Sequence, residues 1–211
     1  MANFKIVLCE NSACGLRFPI DLDLYRAKFC PRCGAPLRVV RDLQPHKGLL
    51  QDSQKSRRNL TVLLDSVRSA YNVGAIFRTA DGVGVQKLCL CGITPTPDDT
   101  PGVAKTALGA ESHILWEYHP NALRIARQLQ EEGLQLLALE RTANALPLMA
   151  YHPNLGEERA VVLVLGNEQA GVDPDILNLC DAILSIPMSG EKASLNVSVA
   201  FGVAAYWLSF G

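Results

Sequence analysis

The chain has 211 residues, 48% of them hydrophobic, which is enough for one full-sized core and a small appendage. No apolar run reaches the roughly 18 residues a membrane span needs; the longest candidate, Val197 to Phe210, is short and interrupted by Ser198 and Gly202. The net charge of −1 conceals an asymmetry: residues 1–59 hold 11 Lys and Arg against 5 Asp and Glu, and residues 60–211 hold 9 against 16, so a polyanion is expected to meet the N-terminal part.

In chain order, the opening MANFKIVLCENSAC lacks the apolar stretch and small-residue cleavage site of a signal peptide, so the protein is expected in the cytoplasm. Four of the seven cysteines then fall within the first 33 residues, as Cys9-x4-Cys14-Gly15 and Cys30-x2-Cys33-Gly34. In a reducing compartment such a cluster reads as a metal site before it reads as disulfides. Two cysteines on one tight turn can aim both sulfurs at one ion, and the following glycine can take positive φ so that amides face the thiolates. Four thiolates suit a closed, structural Zn²⁺ site, with iron as the alternative. The stretch resembles a zinc ribbon over residues 1–37. So small a domain has little core of its own, and the metal would supply the missing stability.

Residues 38–59 are polar and basic, contain Pro45 and Gly48, and read as a linker. From residue 60 to 211 strands and helices alternate. Apolar runs at 60–65, 87–92, 134–140, 160–166 and 182–187, with a further one at 113–117, read as strands buried on both faces. Helical patterns lie at 73–83, 122–132, 174–180 and 195–208. This is an α/β pattern with a mainly parallel sheet. Cys89, Cys91 and Cys180 sit among apolar residues and read as small core residues.

Three motifs carry chemistry. The first, Asn72-Val-Gly-Ala-Ile-Phe-Arg78-Thr-Ala-Asp81, opens a helix for which Asn72 is the expected N-cap. Gly74 would permit close approach of another chain or ligand, and Arg78 would project beside that patch, unless it merely pairs with Asp81. The second, Gly166-Asn167-Glu168-Gln169-Ala170-Gly171, follows a buried strand, where open α/β sheets bind ligands. It lacks the Gly-Lys-Ser/Thr of a triphosphate loop, and the carboxylate of Glu168 favours a cationic ligand. The third, Ile186-Pro-Met188-Ser-Gly-Glu-Lys-Ala-Ser194-Leu195-Asn196, ends a strand and opens the last helix, with Ser194 as the expected cap. That helix is slim (Ser198, Ala200, Gly202, Ala204, Ala205), so another element could pack close to it. A dinucleotide-dependent oxidoreductase is disfavoured, because no G-x-G-x-x-G follows the first strand of this segment.

In this combination and order, the three motifs resemble the TrmH-like (SpoU) branch of the SPOUT superfamily of RNA methyltransferases over about residues 60–210, while the ribbon is not part of the shared core. The resemblance implies a deep trefoil knot near the C-terminus, an exception to the usual topology rules. It implies S-adenosylmethionine (AdoMet) as cofactor and methyl transfer to a ribose 2′-hydroxyl of tRNA or rRNA. A non-catalytic RNA-binding module on the same fold is the alternative. It implies a homodimer with each RNA site shared between subunits. Backbone groups of Leu139, Gly166, Ile186 and Leu195, with Glu140, Asn167 and Met188 beside them, would form the cofactor pocket. Asn72, Arg78, Glu168, Ser194 and Asn196 match the active-site positions. Arg78 would hold the RNA and polarise the hydroxyl, and Glu168 and Asn196 would orient cofactor and ribose.

Overall fold

The structure, a computed structural model, describes residues 3–25, 28–43, 59–152 and 160–211. The chain divides into two compact units, Met1–Gln54 and Lys55–Gly211.

The N-terminal unit is a three-stranded antiparallel sheet of β1 (Phe4–Cys9), β2 (Arg17–Asp21) and β3 (Leu37–Asp42), in the order β2-β1-β3. Val7, Cys9, Ile20 and Cys30 form its small buried core. Residues 38–42, expected to begin the linker, instead belong to β3. Their pairing with β1, together with an ion pair of 2.8 Å between Lys5 and Asp42, keeps them in the sheet. Residues 44–58 of the expected linker lie outside the described residues.

The second unit is built on a seven-stranded sheet in which every pairing is parallel. Its strands are β4 (Leu60–Asp65), β5 (Lys87–Cys91), β6 (Leu115–His119), β7 (Gln135–Leu139), β8 (Leu146–Pro147), β9 (Val161–Leu165) and β10 (Ala182–Ser185), in the order β6-β5-β4-β9-β7-β10-β8. Helices cover both faces, which is why β4 and β9 are buried at every position and mostly apolar. On one face Leu60, Val62 and Leu64 pack with α1 (Ala70–Val83), α2 (Pro101–Ala107) and α5 (Val197–Phe210). On the other, Leu63, Val162 and Val164 pack with α3 (Ala122–Glu131) and α4 (Pro174–Leu177). Cys89 and Cys91 are buried in this second layer, and Cys180 packs against it. Burial pushes the Cys89 thiol up to about 11 and that of Cys180 to about 12, as suits inert core sulfurs.

Several boundaries differ from the sequence reading. The strand expected at 113–117 runs from Leu115 to His119, and the helix expected at 174–180 ends at Leu177. Helix α2 and the short β8 had no counterpart. Helix α1 begins three residues earlier than expected, with Ser69 as its N-cap: the Ser69 hydroxyl accepts a hydrogen bond from the Asn72 amide at 3.3 Å. Asn72 therefore sits inside the first turn, which frees its side chain for other partners. Likewise Asn196, not Ser194, caps α5, accepting from the Ser198 amide at 2.9 Å. No helix among the described residues is long and apolar enough to cross a membrane.

Candidate active site

The carboxyl ends of four neighbouring strands, β4, β9, β7 and β10, converge on one side of the sheet, where a doubly covered parallel sheet offers a crevice. A cavity of about 530 Å³ opens there. Its walls are three loops: Leu139–Arg141 after β7, Gly166–Gly171 after β9, and Ile186–Asn196 between β10 and α5. Leu139, Glu140, Gly166, Asn167, Ile186, Met188 and Leu195, all named as pocket residues from the sequence, line it together with Glu168, Ser194 and Asn196. Arg78 and Asn72 are not among the lining residues.

Each loop is held in shape by its own chemistry. After β9, the Asn167 and Gly171 backbones bond to each other in both directions (3.0 and 2.9 Å), and Gly171 closes the turn with φ of 76°. The Asn167 amide donates to the carbonyl of Ser66 at 2.8 Å, and its oxygen accepts from the Gln169 and Ala170 amides, both at 3.0 Å. Gly166 lines the cavity, but the demand for glycine comes from elsewhere: a Cβ there would strike the backbone of Gly171 and Val172. The Glu140 carboxylate ties two loops together, accepting from the Arg141 amide at 2.7 Å and from the Val172 amide at 3.1 Å. Arg141, which no pattern in the sequence singled out, reaches the third loop through a 2.7 Å bond to the carbonyl of Ala193.

One polar chain runs along the cavity rim. The Glu168 carboxylate accepts from the amides of Arg68 (2.9 Å) and Ser69 (3.1 Å), at the N-terminus of α1. It also accepts from the Asn72 side chain at 3.0 Å. The Asn72 oxygen in turn accepts from the Asn196 side chain at 3.0 Å, and the Asn196 oxygen accepts from the Ser198 hydroxyl at 2.7 Å. Burial alone would raise the Glu168 carboxyl, but the donors from Arg68, Asn72 and Ser69 outweigh it and hold the group below the ordinary carboxylate range. Glu168 is therefore ionised at neutral pH and engaged with the positive end of α1. Three of the five expected active-site residues (Asn72, Glu168, Asn196) thus form one network, and Ser194 lies beside it on the cavity wall.

Arg78 is exposed on α1, and among the described residues no hydrogen bond or ion pair engages it, with Asp81 or any other group. Gly74, expected to face a ligand or another chain, instead meets α2. A Cβ there would strike the Val103 carbonyl and the Thr106 side chain. Three of the five small residues of α5 likewise pack within the chain. Ala204 and Ala205 are buried in the core, and a Cβ on Gly202 would meet Thr79 of α1.

In the N-terminal unit the four cysteine sulfurs all lie within 4.8 Å of one another, with Cys9–Cys33 at 3.5 Å and Cys14–Cys30 at 3.8 Å. These separations exceed a disulfide's ~2.0 Å. They match the ~3.8 Å edges of a tetrahedron with ~2.3 Å metal–sulfur bonds. Gly15 and Gly34 take the expected positive φ, 57° and 74°. The cluster can hold a metal ion.

The all-parallel sheet, the crevice at its strand ends and the loop-built cavity define an α/β protein whose ligand site is shaped by backbone turns. Residues 59–206 match the SpoU rRNA Methylase family, and the chain belongs to it. It is 34% identical over 149 residues to the 23S rRNA (guanosine-2′-O-)-methyltransferase RlmB of Shewanella oneidensis, covering 69% of this chain and 56% of that one. To the tRNA (guanosine(18)-2′-O)-methyltransferase of Escherichia coli it is 31% identical over 153 residues, covering 70% and 62% respectively. The chain thus spans less than two thirds of the length of these curated relatives. Among solved structures it resembles an AdoMet-bound rRNA methyltransferase from Sinorhizobium meliloti, with a TM-score of 0.65 and 28% identity, covering 73% of this chain and 56% of that one.

Proposed function

We propose that the protein transfers a methyl group from AdoMet to a ribose 2′-hydroxyl of tRNA or rRNA. The observation that carries this reading is the meeting of the loop-built cavity with the Glu168–Asn72–Asn196 chain at its rim. The relatives named as 2′-O-methyltransferases support it, as does the AdoMet-bound structural neighbour. Backbone groups of Leu139, Gly166, Ile186 and Leu195 would hold the adenosine, with Met188 beside them. AdoMet, when bound, would supply an electrophilic methyl group: the 2′-oxygen would form the new O–C bond as the S–C bond breaks, S-adenosylhomocysteine would leave, and the hydroxyl proton would pass to solvent water. Glu140 and Asn167 keep the loops in the shape that receives it, and Ser194 and Asn196 face the ribose.

Glu168 has both oxygens occupied by three donors, so its task is to fix the start of α1 and orient Asn72, not to take a proton. Arg78 presents a planar guanidinium fork, a geometry suited to phosphate oxygens. Its role is to clamp RNA and polarise the hydroxyl. It does not line the cavity of its own chain, which favours a site completed across a homodimer. The exposed Val199 and Tyr206 on α5, with the half-buried Val203 between them, provide an apolar stripe for that contact. The C-terminal segment after β9 would be threaded as the family's trefoil knot, the cysteine cluster would hold zinc, and the protein would work in the cytoplasm.

The test is transfer of radiolabelled methyl from AdoMet to RNA by the purified chain, with nucleoside mass spectrometry of the product. A 2′-O-methylated nucleoside is expected. RNA binding without transfer to any tRNA or rRNA fraction would favour the non-catalytic alternative.

A further inference from the structure

The register of the N-terminal sheet sorts its side chains onto two faces. Leu8 on β1 pairs with Arg17 on β2 and with Arg38 on β3, so these three share one face. One step along, Ile6 pairs with Pro19 and with Arg41, and beyond it lies Phe4. An irregularity between Ile6 and Val7 takes up the extra residue of β3, which is what returns Arg41 to the same face as Arg38. The result is an apolar strip, Phe4-Ile6-Leu8, bordered by Arg17 on one side and by Arg38 and Arg41 on the other. The three arginines are exposed, Phe4 is 44% exposed, and Ile6 and Leu8 are half-buried. The acids of this face lie at its two ends and are outnumbered by the arginines: Asp21, opposite Phe4, is 3% exposed and accepts from the Asn3 and Asp23 amides, and the exposed Glu10 follows Leu8 two residues on, where its amide donates to the Pro36 carbonyl. The Lys5–Asp42 ion pair lies on the reverse face, with Val7 and Cys9. Among the described residues no hydrogen bond or ion pair engages Arg17, Arg38 or Arg41.

We infer that this face of the ribbon is a docking surface for single-stranded RNA. Charge complementarity selects the occupant. Arg17 and Arg38, on strands either side of β1, stand about 10 Å apart at the usual ~4.8 Å strand spacing. They can engage phosphates while unpaired bases lie on the strip between them. A paired duplex would keep its bases inside and leave the strip uncovered. An acidic peptide would use the charge but has no flat rings to lay on the strip or stack on the guanidinium planes. The inference rests on the reading of this chain as an RNA-modifying enzyme, and it assigns substrate capture to the ribbon.

The test uses the full chain and a labelled oligouridylate, with Arg17→Gln, Arg38→Gln and Arg41→Gln combined. Each phosphate contact on a single strand contributes about 0.7 to the slope of log affinity against log salt. Losing three should flatten the slope by about 2 and weaken binding about a hundredfold at 0.1 M salt. KM for RNA should rise while kcat at saturating RNA and AdoMet affinity stay unchanged. Phe4→Ala should weaken the single strand more than the same strand annealed to oligoadenylate, and Lys5→Gln on the reverse face should change neither affinity nor slope. Wild-type affinity and slope in the triple variant, or wild-type binding to anionic vesicles that exceeds binding to RNA, would overturn the assignment. Absence of methyl transfer in a chain that still binds RNA through these arginines would sink the catalytic reading and leave this one standing.

Discussion

Replacing Glu168 by Gln tests the polar chain at its anchor. The carboxylate accepts three hydrogen bonds at 2.9, 3.1 and 3.0 Å, two of them from amides at the start of α1. An amide in its place turns one acceptor into a donor aimed at those N–H groups. Bonds to a charged acceptor contribute about 1.5–3 kcal/mol each when buried. The side chain is exposed, so the whole set is discounted to about 1–2 kcal/mol. For a unit of this size that is a drop of about 3–6 °C in melting temperature. The sign with pH follows from the depressed carboxyl: its stabilisation is fully present above the unfolded value of ~4.3 and is lost as pH falls through the lower folded value. Thermal melts of wild type and variant from neutral to acid pH should show a gap that is constant down to about pH 4.3 and then closes. Equal melting temperatures at neutral pH, or a gap unchanged in acid, would refute the role given to Glu168. Asn72→Asp, which sets two carboxylates face to face, should close its own deficit at higher pH, because repulsion raises the pair's apparent pKa.

Arg78→Ala should abolish methyl transfer while AdoMet affinity, read by calorimetry, stays within a few-fold; unchanged turnover would remove Arg78 from the chemistry. Treatment with a strong chelator should unfold the three-stranded unit and leave the seven-stranded sheet intact, so that far-ultraviolet helix signal is retained. A global loss of helix would show instead that the two units fold together. Gly74→Ala forces α1 and α2 apart, because the new methyl meets the Val103 carbonyl, and should cost about 1–3 kcal/mol in denaturant melts.

The sheet was legible because strands buried on both faces leave nearly continuous apolar runs, as LTVLLD and AVVLVLG do. The pocket residues were legible through the family motifs, which mark loops by their glycines and polar residues. Helix α2 was not. Its seven residues, PGVAKTA, contain Pro101 and Gly102, and their helical form rests on docking Val103 and Ala107 near Gly74. The caps were misplaced by a turn at α1 and by two residues at α5. Both errors have one cause: Ser69 and Asn72, like Ser194 and Asn196, are each competent caps, and only tertiary partners decide which oxygen faces the helix. Residues 38–42 hid their strand because its exposed side is arginine. The role of Arg141 depends on a contact 52 residues away, which leaves no trace in local spacing.

The rim network also has a kinetic meaning. Glu168 and Asn72 are 96 residues apart, and Asn72 and Asn196 are 124 apart. Contacts between residues so distant in sequence carry a high loop-closure cost, so these bonds are expected to close late in folding. A ligand seated in the cavity would therefore find nothing to bind in the folding transition state. AdoMet should leave the refolding rate unchanged and slow unfolding alone, making the occupied protein longer-lived and no faster to form.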